Sequence, residues 1–511
     1  MANDLGSRQR SNLASILAGH PGDRVALISR NQSTTYSDLR DQVERVRGGL
    51  VAHGIAAGDR VAIVCANNVH FVVSYFAVVG LGAVAVPLNP TSPAAEIQRE
   101  MLVVQPAMAI IGPSAHAAWS HVDAAAVPTL RSIVFAELEP DPGGVTLESL
   151  AAADPVPTVD VDPDQVAVMM FTSGTAGPPK AAMLSHRNLL ANIEQDRSAR
   201  DHISSGDVVY GVLPMFHIFG LNVVLGVSIA EGATIVLVQR FDPATAAQSI
   251  VQRQVTVVPG APPMWIAFSH FDELAADTFA SVRLAVSGAS RLSPTVIERM
   301  RERFGLQIHE GYGLTEAAPV VTSSAGMTPR PGSVGRVLVG QEVRLVGDDG
   351  ADVPVGDAGE VWVRGPNVFL GYLDEPEATA RVLVDGWLRT GDIATVDDDG
   401  YLYLVDRAKD LIIVSGFNVY PGEVEQVLAA HPAVAEVGVV GVPHPHHGEA
   451  VKAYVVPVEG ADIDEERLIE FASDSLARYK CPTKVIFVDQ LPRNAAGKLL
   501  RRELEGTILA G

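Results

Sequence analysis

Residues 171–180 read FTSGTAGPPK and place hydroxyl side chains, two glycines and a lysine at the end of the apolar stretch VAVMMF. Glycines let a backbone curl so that successive N–H groups point at one anion, while hydroxyls and a lysine add donors and charge. The pattern therefore predicts a phosphate-binding loop. For this stretch alone, a plain surface turn after a strand is an equally good interpretation. The residues concerned are Thr172, Ser173, Gly174, Thr175, Gly177 and Lys180.

The loop is not the nucleotide-binding pattern G-x-x-x-x-G-K-[ST], because its lysine lacks both the preceding glycine and the following hydroxyl residue. Further motifs follow it along the chain: LPMFHIFG at 213–220, SGAS at 287–290, EGYGLTE at 310–316, GWLRTGD at 386–392, DRAKDLIIVSGFNVYPGEVE at 406–425 and LPRNAAGKLLRREL at 491–504. In order and spacing they resemble the adenylate-forming superfamily of acyl-CoA synthetases, luciferases and peptide-synthetase adenylation domains. The resemblance spans residues 35–504 and is closest to bacterial fatty-acid (acyl)-CoA ligases.

The resemblance implies that the protein activates a carboxylic acid with ATP as an acyl-adenylate and then passes the acyl group to coenzyme A. Lys498 would stabilise the charge that builds up when the carboxylate attacks the α-phosphate, since a positioned cation is effective there. Thr172 and Glu316 would bind Mg²⁺, which prefers hard oxygen ligands and needs few carboxylates when phosphates supply the rest. Tyr312 would pack against adenine and Asp392 would accept the ribose hydroxyls, with Arg407 nearby. The other implied ATP-binding residues are Gly288, Ala289, Glu310, Gly311, Gly313 and Thr315.

Each of these residues also has a plain structural interpretation when it is taken alone. Glu316 fits an acid at a helix start, where the helix dipole favours negative charge. Asp392 fits a turn after a glycine. A lysine near the C-terminus, such as Lys498, is normally solvated. The motifs together favour the catalytic interpretation over these alternatives.

Three positions depart from the family pattern. Ala176 stands where the family usually has Thr, and Ala181 stands where it usually has Gly. Arg291 takes the position of the proline in the usual family motif SGA-x-P-L, because this chain reads SGASRL. Ala176 removes one hydroxyl from the loop but leaves the others. Arg291 would either recognise an acidic substrate or point to solvent, and we favour solvent because surface arginine is the common case.

The acid is expected to occupy an apolar tunnel beside LPMFHIFG. By resemblance, His217 and Phe219 flank it, and the implied substrate-binding residues are His217, Ile218, Leu221, Gly288 and Gly313. A histidine among apolar residues is more often a core residue than a participant, and an ionised carboxylate needs no base, so His217 is interpreted as substrate-lining. With residues 257–265 and Val320 the expected lining is apolar, which favours a hydrophobic acid, in particular a fatty acid of medium or long chain.

The family performs its two reactions by rotating a small C-terminal domain, and the matching hinge is Lys409. One orientation delivers Lys498, and the other presents Ser415, Gly416 and Phe417 to the pantetheine of coenzyme A. A free-standing enzyme that loads an acyl carrier protein is the main alternative, although neither an insertion in the large domain nor an early aspartate of the acyl pocket is present. A non-enzymatic scaffold is ranked last because the loop, Glu316 and Lys498 are intact. No motif in the sequence indicates light emission.

The elements that must position these residues alternate between strand-like and helix-like segments. Strands are expected at 25–29, 60–66, 83–88, 207–213, 234–238, 255–259 and 282–287, with helices between them, which predicts parallel strands with crossover helices. Short alternating strands after about residue 330 predict an antiparallel β unit. The prediction is an α/β fold of doubly wound mixed sheets. It assigns an N-terminal adenylating domain to 1–408, with the β unit at about 330–408, and a mobile α+β domain to 409–511.

Composition narrows the partners and the compartment. The chain has 511 residues, with 38 Lys and Arg against 60 Asp and Glu, and this net charge of −22 makes nucleic acid a poor partner. Two distant cysteines form no disulfide framework, and neither a signal peptide nor a membrane span is recognisable, which predicts a cytoplasmic enzyme. Peripheral membrane contact stays open. The expected partners are the carboxylic acid, ATP and CoA, and the expected state is a monomer or homodimer.

Overall fold

The computed structural model of the chain describes residues 11–138, 144–172, 180–347, 349–407, 410, 412–414, 417–444, 448–458, 460–476, 478–494 and 497–506. Its strands are β1 (Val25–Ser29), β2 (Gln32–Thr35), β3 (Arg60–Val64), β4 (Val84–Pro87), β5 (Met108–Ile111), β6 (Ser132–Phe135), β7 (Val145–Thr146), β8 (Val166–Thr172), β9 (Lys180–Ser185), β10 (Val208–Gly211), β11 (Thr234–Leu237), β12 (Val257–Gly260), β13 (Leu284–Ser287), β14 (Ile308–Gly313), β15 (Val320–Ser323), β16 (Arg336–Val337), β17 (Glu342–Val346), β18 (Gly359–Arg364), β19 (Gly371–Tyr372), β20 (Leu383–Val384), β21 (Trp387–Val396), β22 (Leu402–Arg407), β23 (Ile412–Val414), β24 (Phe417–Val419), β25 (Val434–His444), β26 (Gly448–Pro457) and β27 (Lys484–Phe487).

The helices include one unusual element, a π-helical segment at Phe219–Val227 that follows the LPMFHIFG motif and is called the π-helix below. The α-helices are α1 (Tyr36–Ala52), α2 (Val69–Gly80), α3 (Ala94–Val104), α4 (Pro113–Trp119), α5 (Leu147–Ala151), α6 (His186–Asp196), α7 (Ser228–Glu231), α8 (Pro243–Arg253), α9 (Pro262–His270), α10 (Pro294–Phe304), α11 (Pro376–Val382), α12 (Pro421–Ala429), α13 (Glu465–Ser473) and α14 (Arg501–Gly506).

Two large mixed sheets form the first part of the chain. One has the order β16-β15-β14-β13-β12-β10-β11-β1-β2, and the other has the order β19-β9-β8-β4-β3-β5-β6-β7. Their central strands pair in parallel, and antiparallel strands lie towards the edges. The predicted strands at 25–29, 234–238 and 282–287 appear as β1, β11 and β13, with ends within two residues. The expected α/β fold of mixed sheets is confirmed.

Strand β3 shows why these sheets lie in the interior. Val61 and Ile63 belong to one buried cluster, whereas Ala62 and Val64 belong to a second. Because successive side chains of a strand point to opposite faces, both faces of this sheet are covered. A continuous apolar run such as VAIV is typical of a strand in that position.

Two smaller sheets complete the fold. The strands β17, β18, β21, β20 and β22 form an antiparallel sheet between Glu342 and Arg407, where the alternating pattern predicted one. The strands β23 to β27 form the last sheet, whose core cluster is separate from the clusters of the large sheets. In the described part of the chain, no helix is both long and apolar enough to cross a membrane.

Candidate active site

One cavity of about 360 Å³ gathers residues from the two large sheets, from the antiparallel sheet that contains β21, and from the loop between β27 and α14. The parallel strands β12, β13 and β14 end beside it, and ligands of open α/β sheets bind at the carboxyl ends of such strands. Its polar lining includes Thr172, Lys180, His217, Glu316, Asp392 and Lys498. Residues that lie more than 300 positions apart in the sequence therefore share one space, as the motifs predicted.

Thr172 and Lys180 flank the predicted phosphate loop at the cavity. They are direct partners in the antiparallel pairing of β8 with β9, and the Thr172 hydroxyl donates to the Lys180 carbonyl at 3.5 Å. The ends of the loop are therefore fixed to each other. The loop residues predicted to bind phosphate, namely Ser173, Gly174, Thr175 and Gly177, lie outside the described residues.

Glu316 is oriented by a tyrosine. The Tyr372 hydroxyl donates to Glu316 Oε1 at 2.7 Å, and Lys180 Nζ lies 5.8 Å from the centre of the Tyr372 ring. Burial raises the pKa of the Tyr372 hydroxyl, and the neighbouring Glu316 carboxylate raises it further, so the hydroxyl keeps its proton and remains a donor. Tyr372 thus connects the lysine of the loop with the predicted metal ligand. It lies in no recognised motif, and sequence reasoning missed it.

Tyr312 and Asp392 form a second polar pair. The Tyr312 hydroxyl donates to Asp392 Oδ2 at 2.7 Å, and the Asp392 amide donates to the Thr390 hydroxyl at 3.1 Å. Both residues are buried, and both line the cavity. Asp392 is the register partner of Arg407 across β21 and β22. The residues predicted to hold adenine and ribose are therefore neighbours, although they come from different sheets.

Two positions at the cavity require glycine, because other groups of the protein approach them closely. A β-carbon at Gly288 would lie 2.8 Å from the ring of Phe219, and one at Gly313 would lie 2.2 Å from the Pro319 carbonyl oxygen. Real β-carbons do not approach so closely, so a side chain at either position would displace a cavity wall. Ala289, next to Gly288, has a φ of 70°, in the left-handed region that a non-glycine residue rarely occupies.

His217 lines the cavity in its neutral form. Burial lowers its pKa to about 4, and the positive charge of Lys498 acts in the same direction. The Phe219 amide donates to His217 Nδ1 at 3.3 Å, so Nδ1 is the acceptor and Nε2 carries the proton. The ring can therefore donate a hydrogen bond to an anion, but at neutral pH it cannot supply a charge.

Lys498 reaches the cavity from a tight loop. Its amide donates to Asn494 Oδ1 at 2.8 Å, its carbonyl accepts from the Asn494 amide at 2.9 Å, and Asn494 also lines the cavity. Gly497 has a φ of 81°, and a β-carbon there would lie 3.0 Å from the ring of Pro263 at the start of α9. The loop is therefore docked against the large domain with Lys498 at the site.

Several predicted residues lie elsewhere or cannot be placed. Leu221 is fully buried in the core instead of lining the cavity, and the Glu310 carboxylate accepts from the Leu292 amide behind the cavity wall. Burial raises the pKa of Glu310 to about 7. Arg291 is exposed and donates to the Leu404 carbonyl, which agrees with its expected orientation towards solvent. Lys409, Ser415 and Gly416, and the side chains of Arg407 and Phe417, lie outside the described part.

The cavity also has lining residues that sequence reasoning missed. Asp196 is the last residue of α6, and Asp201, His202 and Ile203 follow it before β10, in a segment without a motif. Val223 lies one helical turn beyond Phe219. Ile218, Gly313 and Thr315 line the cavity as expected, as do Val257, Pro259 and Val320. The sequence gives no signal for Asp196, Asp201 and His202, because only the folding of the chain brings these polar residues to the cavity.

Comparison with known proteins decides the family. The model of the AMP-binding enzyme family matches residues 14–373, and the model of the AMP-binding enzyme C-terminal domain matches residues 423–498. The chain belongs to the AMP-binding enzymes. Its homologues in this family are acyl- and aryl-CoA ligases, so the expected superfamily is confirmed.

Two curated relatives and one solved structure illustrate the range of these AMP-binding enzymes. The chain is 38% identical to feruloyl-CoA synthase of an Amycolatopsis species, over 92% of this chain and 93% of the relative. It is 33% identical to long-chain-fatty-acid–CoA ligase of Bacillus subtilis, over 94% and 91%. The structure of ATP-bound MatB from Rhodopseudomonas palustris aligns with a TM-score of 0.90 at 34% identity, over 97% and 98% of the two chains. This AMP-binding enzyme is accordingly an AMP-forming acyl- or aryl-CoA ligase that acts through an adenylate.

Proposed function

We propose that the enzyme joins coenzyme A to a carboxylic acid with a largely apolar body, and that both half-reactions use the cavity described above. The observation that carries the proposal is the position of Lys498, which shares one cavity with Thr172, Glu316 and the Tyr312–Asp392 pair. Apolar side chains of the π-helix, β12 and β13 line the remainder of this cavity.

In the first half-reaction, a carboxylate oxygen of the acid attacks the α-phosphorus of ATP. A bond forms between this carboxylate oxygen and the α-phosphorus. The bond from the α-phosphorus to the oxygen that bridges it to the β-phosphorus breaks, and pyrophosphate leaves. Lys498 stabilises the charge that develops on the phosphoryl oxygens. His217 donates from Nε2 to the carboxylate without adding a second charge, because its pKa is low. Asp392, oriented by Tyr312, accepts from the ribose hydroxyls.

We assign the magnesium ion to Thr172 and Glu316. The donor set fits, because a hydroxyl and a carboxylate at one cavity are hard oxygen ligands. Among the described residues no group of three or more His, Cys, Asp or Glu side chains is arranged to hold a metal. An ion that takes most of its ligands from phosphates needs no such group. When bound, it would neutralise charge on the phosphates of ATP, while Tyr372 keeps Glu316 oriented.

In the second half-reaction, the thiolate of coenzyme A attacks the acyl carbon, the acyl–oxygen bond breaks and AMP leaves. The thiol needs access from the side that Lys498 occupies in the first step. We propose that residues 409–511 rotate about Lys409 as a domain separate from 1–408, withdraw Lys498 and bring Ser415, Gly416 and Phe417 to the acyl carbon. The separate core of the last sheet supports a unit that can move without disrupting the large sheets.

The class of acid is less narrow than the fatty acid that the sequence favoured. The curated relatives include a ligase named for feruloyl-CoA as well as one named for long-chain fatty acids. Apolar side chains of Phe219, Val286 and Val257 line the cavity and suit an aromatic ring as well as an alkyl chain. We therefore propose an acid whose body is apolar, and one experiment compares aromatic with aliphatic acids.

The test incubates the full-length protein with ATP, magnesium, CoA and a panel of aliphatic and aromatic acids. We expect AMP, pyrophosphate and an acyl-CoA thioester in equal amounts. Release of ADP and phosphate would contradict the adenylate route. Replacement of CoA by a phosphopantetheinyl carrier protein tests the alternative acceptor, and faster loading of that protein than of CoA would favour the carrier-loading enzyme.

A further inference from the structure

The acid cavity extends from the carboxyl end of β13 to its amino end. Gly288 and Ala289 follow this strand at the nucleotide end. Arg283 precedes it, donates to the His202 carbonyl at 2.8 Å and pairs with Asp201. Five residue steps separate Arg283 from Gly288, which corresponds to roughly 16 Å at about 3.3 Å per residue. Asp201 and His202 therefore form the floor of the cavity, far from the reacting carboxylate.

Between the two ends the walls are apolar. Val223 of the π-helix faces the same cavity as Val257 of β12 and Leu284 and Val286 of β13. Such walls hold the body of an acid by burial of apolar surface and give no polar contact along its length. The polar floor beneath these walls therefore offers hydrogen-bonding groups to the remote end of the acid.

Asp196 is the uncommitted group of this floor. It ends α6, one turn after Asn192, which donates to the Val320 carbonyl at the cavity wall at 2.8 Å. Within the described residues, its carboxylate has no hydrogen-bond or ion-pair partner, whereas the Asp201 carboxylate is paired with Arg283. Burial raises the pKa of Asp196 to about 6, nearby Glu231 also raises it, and His202 lowers it.

The other polar groups of the floor have partners within the protein. The Asp201 carboxylate pairs with Arg283, and His202 Nδ1 donates to the Ala199 carbonyl at 3.4 Å. Asp196 lines the cavity without such a partner among the described residues. A ligand that displaces water from an Asp196 carboxylate oxygen loses free energy unless it brings a hydrogen-bond donor.

We propose that Asp196 is a specificity-determining residue of the acid site and that the acid carries a hydrogen-bond donor, a hydroxyl or an amino group, at the end remote from its carboxylate. This inference rests on the proposed function. It narrows the apolar-bodied acid to one with a polar terminus, and it disfavours an unsubstituted fatty acid.

The experiment measures acid-dependent pyrophosphate release by the full-length enzyme with matched sets of acids on one frame. Each set contains the unsubstituted acid, its terminal hydroxy and amino derivatives, and the methyl ether, which accepts but cannot donate. A phenylpropenoic frame substituted at the para position and a decanoic frame substituted at the ω position cover both shapes. We expect kcat/KM to be ~10- to 100-fold higher for a donor-bearing acid than for its ether.

Asp196→Leu should bring the ratio of hydroxy or amino acid to ether close to one. Glu194→Gln is the matched control, because Glu194 is an exposed acid on the same helix that pairs with Arg197; its ratio should equal that of the wild type. Equal use of donor and ether by the wild type, or a preference that survives Asp196→Leu, would overturn the assignment. Turnover of unsubstituted acids shows that each variant is folded. If no acid of any set releases pyrophosphate, the proposed function itself fails, which distinguishes the two results.

Discussion

At the nucleotide end of the cavity, the polar side chains are held by partners from other elements, whereas Asp196 at the floor has none among the described residues. Tyr312 holds Asp392, Tyr372 holds Glu316, and Asn494 anchors the backbone of Lys498. Preorganised groups stabilise a transition state because they need not reorient when charge develops. An uncommitted acceptor is instead completed by the ligand. In the proposed function, the chemistry is therefore set at one end of the cavity and the choice of acid at the other.

Lys498→Ala should have the largest effect and should act on one half-reaction only. Loss of a preorganised charge stabiliser costs ~100- to 1000-fold, so acid-dependent pyrophosphate release should fall by about that factor. Thioester formation from synthetic acyl-AMP and CoA should stay near the wild-type rate, because the proposed rotation then withdraws Lys498. Stopped assays of the two half-reactions measure the difference.

The matched control is Lys484→Ala, which removes an exposed lysine of β27 that pairs with Glu465. It should leave both half-reactions unchanged. Equal loss of both half-reactions in Lys498→Ala would contradict rotation and would favour a single static orientation of the C-terminal unit.

Glu316→Gln should lower kcat by ~10- to 100-fold, in the range found for changes at metal sites, and should raise the magnesium concentration needed for half-maximal rate. Tyr372→Phe keeps the ring and removes only the 2.7 Å hydrogen bond, so its effect should be smaller but of the same kind. Magnesium titrations of both variants measure this, with the exposed Glu377→Gln as control. A normal magnesium requirement in Glu316→Gln would return Glu316 to a structural role.

Asp392→Asn should raise KM for ATP by ~10-fold and leave KM for the acid nearly unchanged, because hydrogen bonds to a charged acceptor are stronger than those to a neutral one. Tyr312→Phe should raise the KM for ATP less, since the ring that is proposed to pack on adenine remains. Initial-rate kinetics in both substrates separate the two effects. Asp398→Asn, at an exposed position in the turn between β21 and β22, is the control. A change in acid KM instead of ATP KM would contradict the assignment.

The smallest effect concerns stability at the floor. The pKa of Asp196 is about 6 in the folded protein, against an ordinary value of 3.8, so the folded state holds its proton over the range in which the unfolded chain loses it. Stability is therefore lost as pH rises from about 4 to about 6. The asparagine in Asp196→Asn cannot ionise. Across this pH range the free energy of unfolding of the variant should therefore rise by roughly 1–2 kcal/mol relative to that of the wild type. Thermal unfolding at pH 4.5 and pH 7.5 measures the gain, and a constant difference between the proteins would contradict a buried, uncommitted carboxyl.

The sequence predicted the nucleotide end far better than the floor, for a physical reason. Thr172, Glu316 and Lys498 lie in contiguous motifs whose residue types reveal their chemistry, and parallel strands were readable from apolar runs such as VALIS and RVAIV. Asp196 ends α6, and Asp201 and His202 lie in the segment that follows it, where an acid is ordinarily solvated. Their position depends on the packing of α6 and on Arg283, some 80 residues further along. Tyr372 was not predicted either, because only the pairing of β19 with β9 in the folded chain brings it to Lys180.

The contact at Gly497 has a consequence for the timing of the whole cycle. The Lys498 loop fits closely against Pro263, because a β-carbon at Gly497 would lie 3.0 Å from the proline ring. In the proposed rotation, the fit at this contact sets how readily the closed orientation forms, although no reacting group lies there. A larger residue at Gly497 is therefore expected to change the fraction of time that the enzyme is ready to consume ATP, independently of its affinity for ATP, acid or CoA.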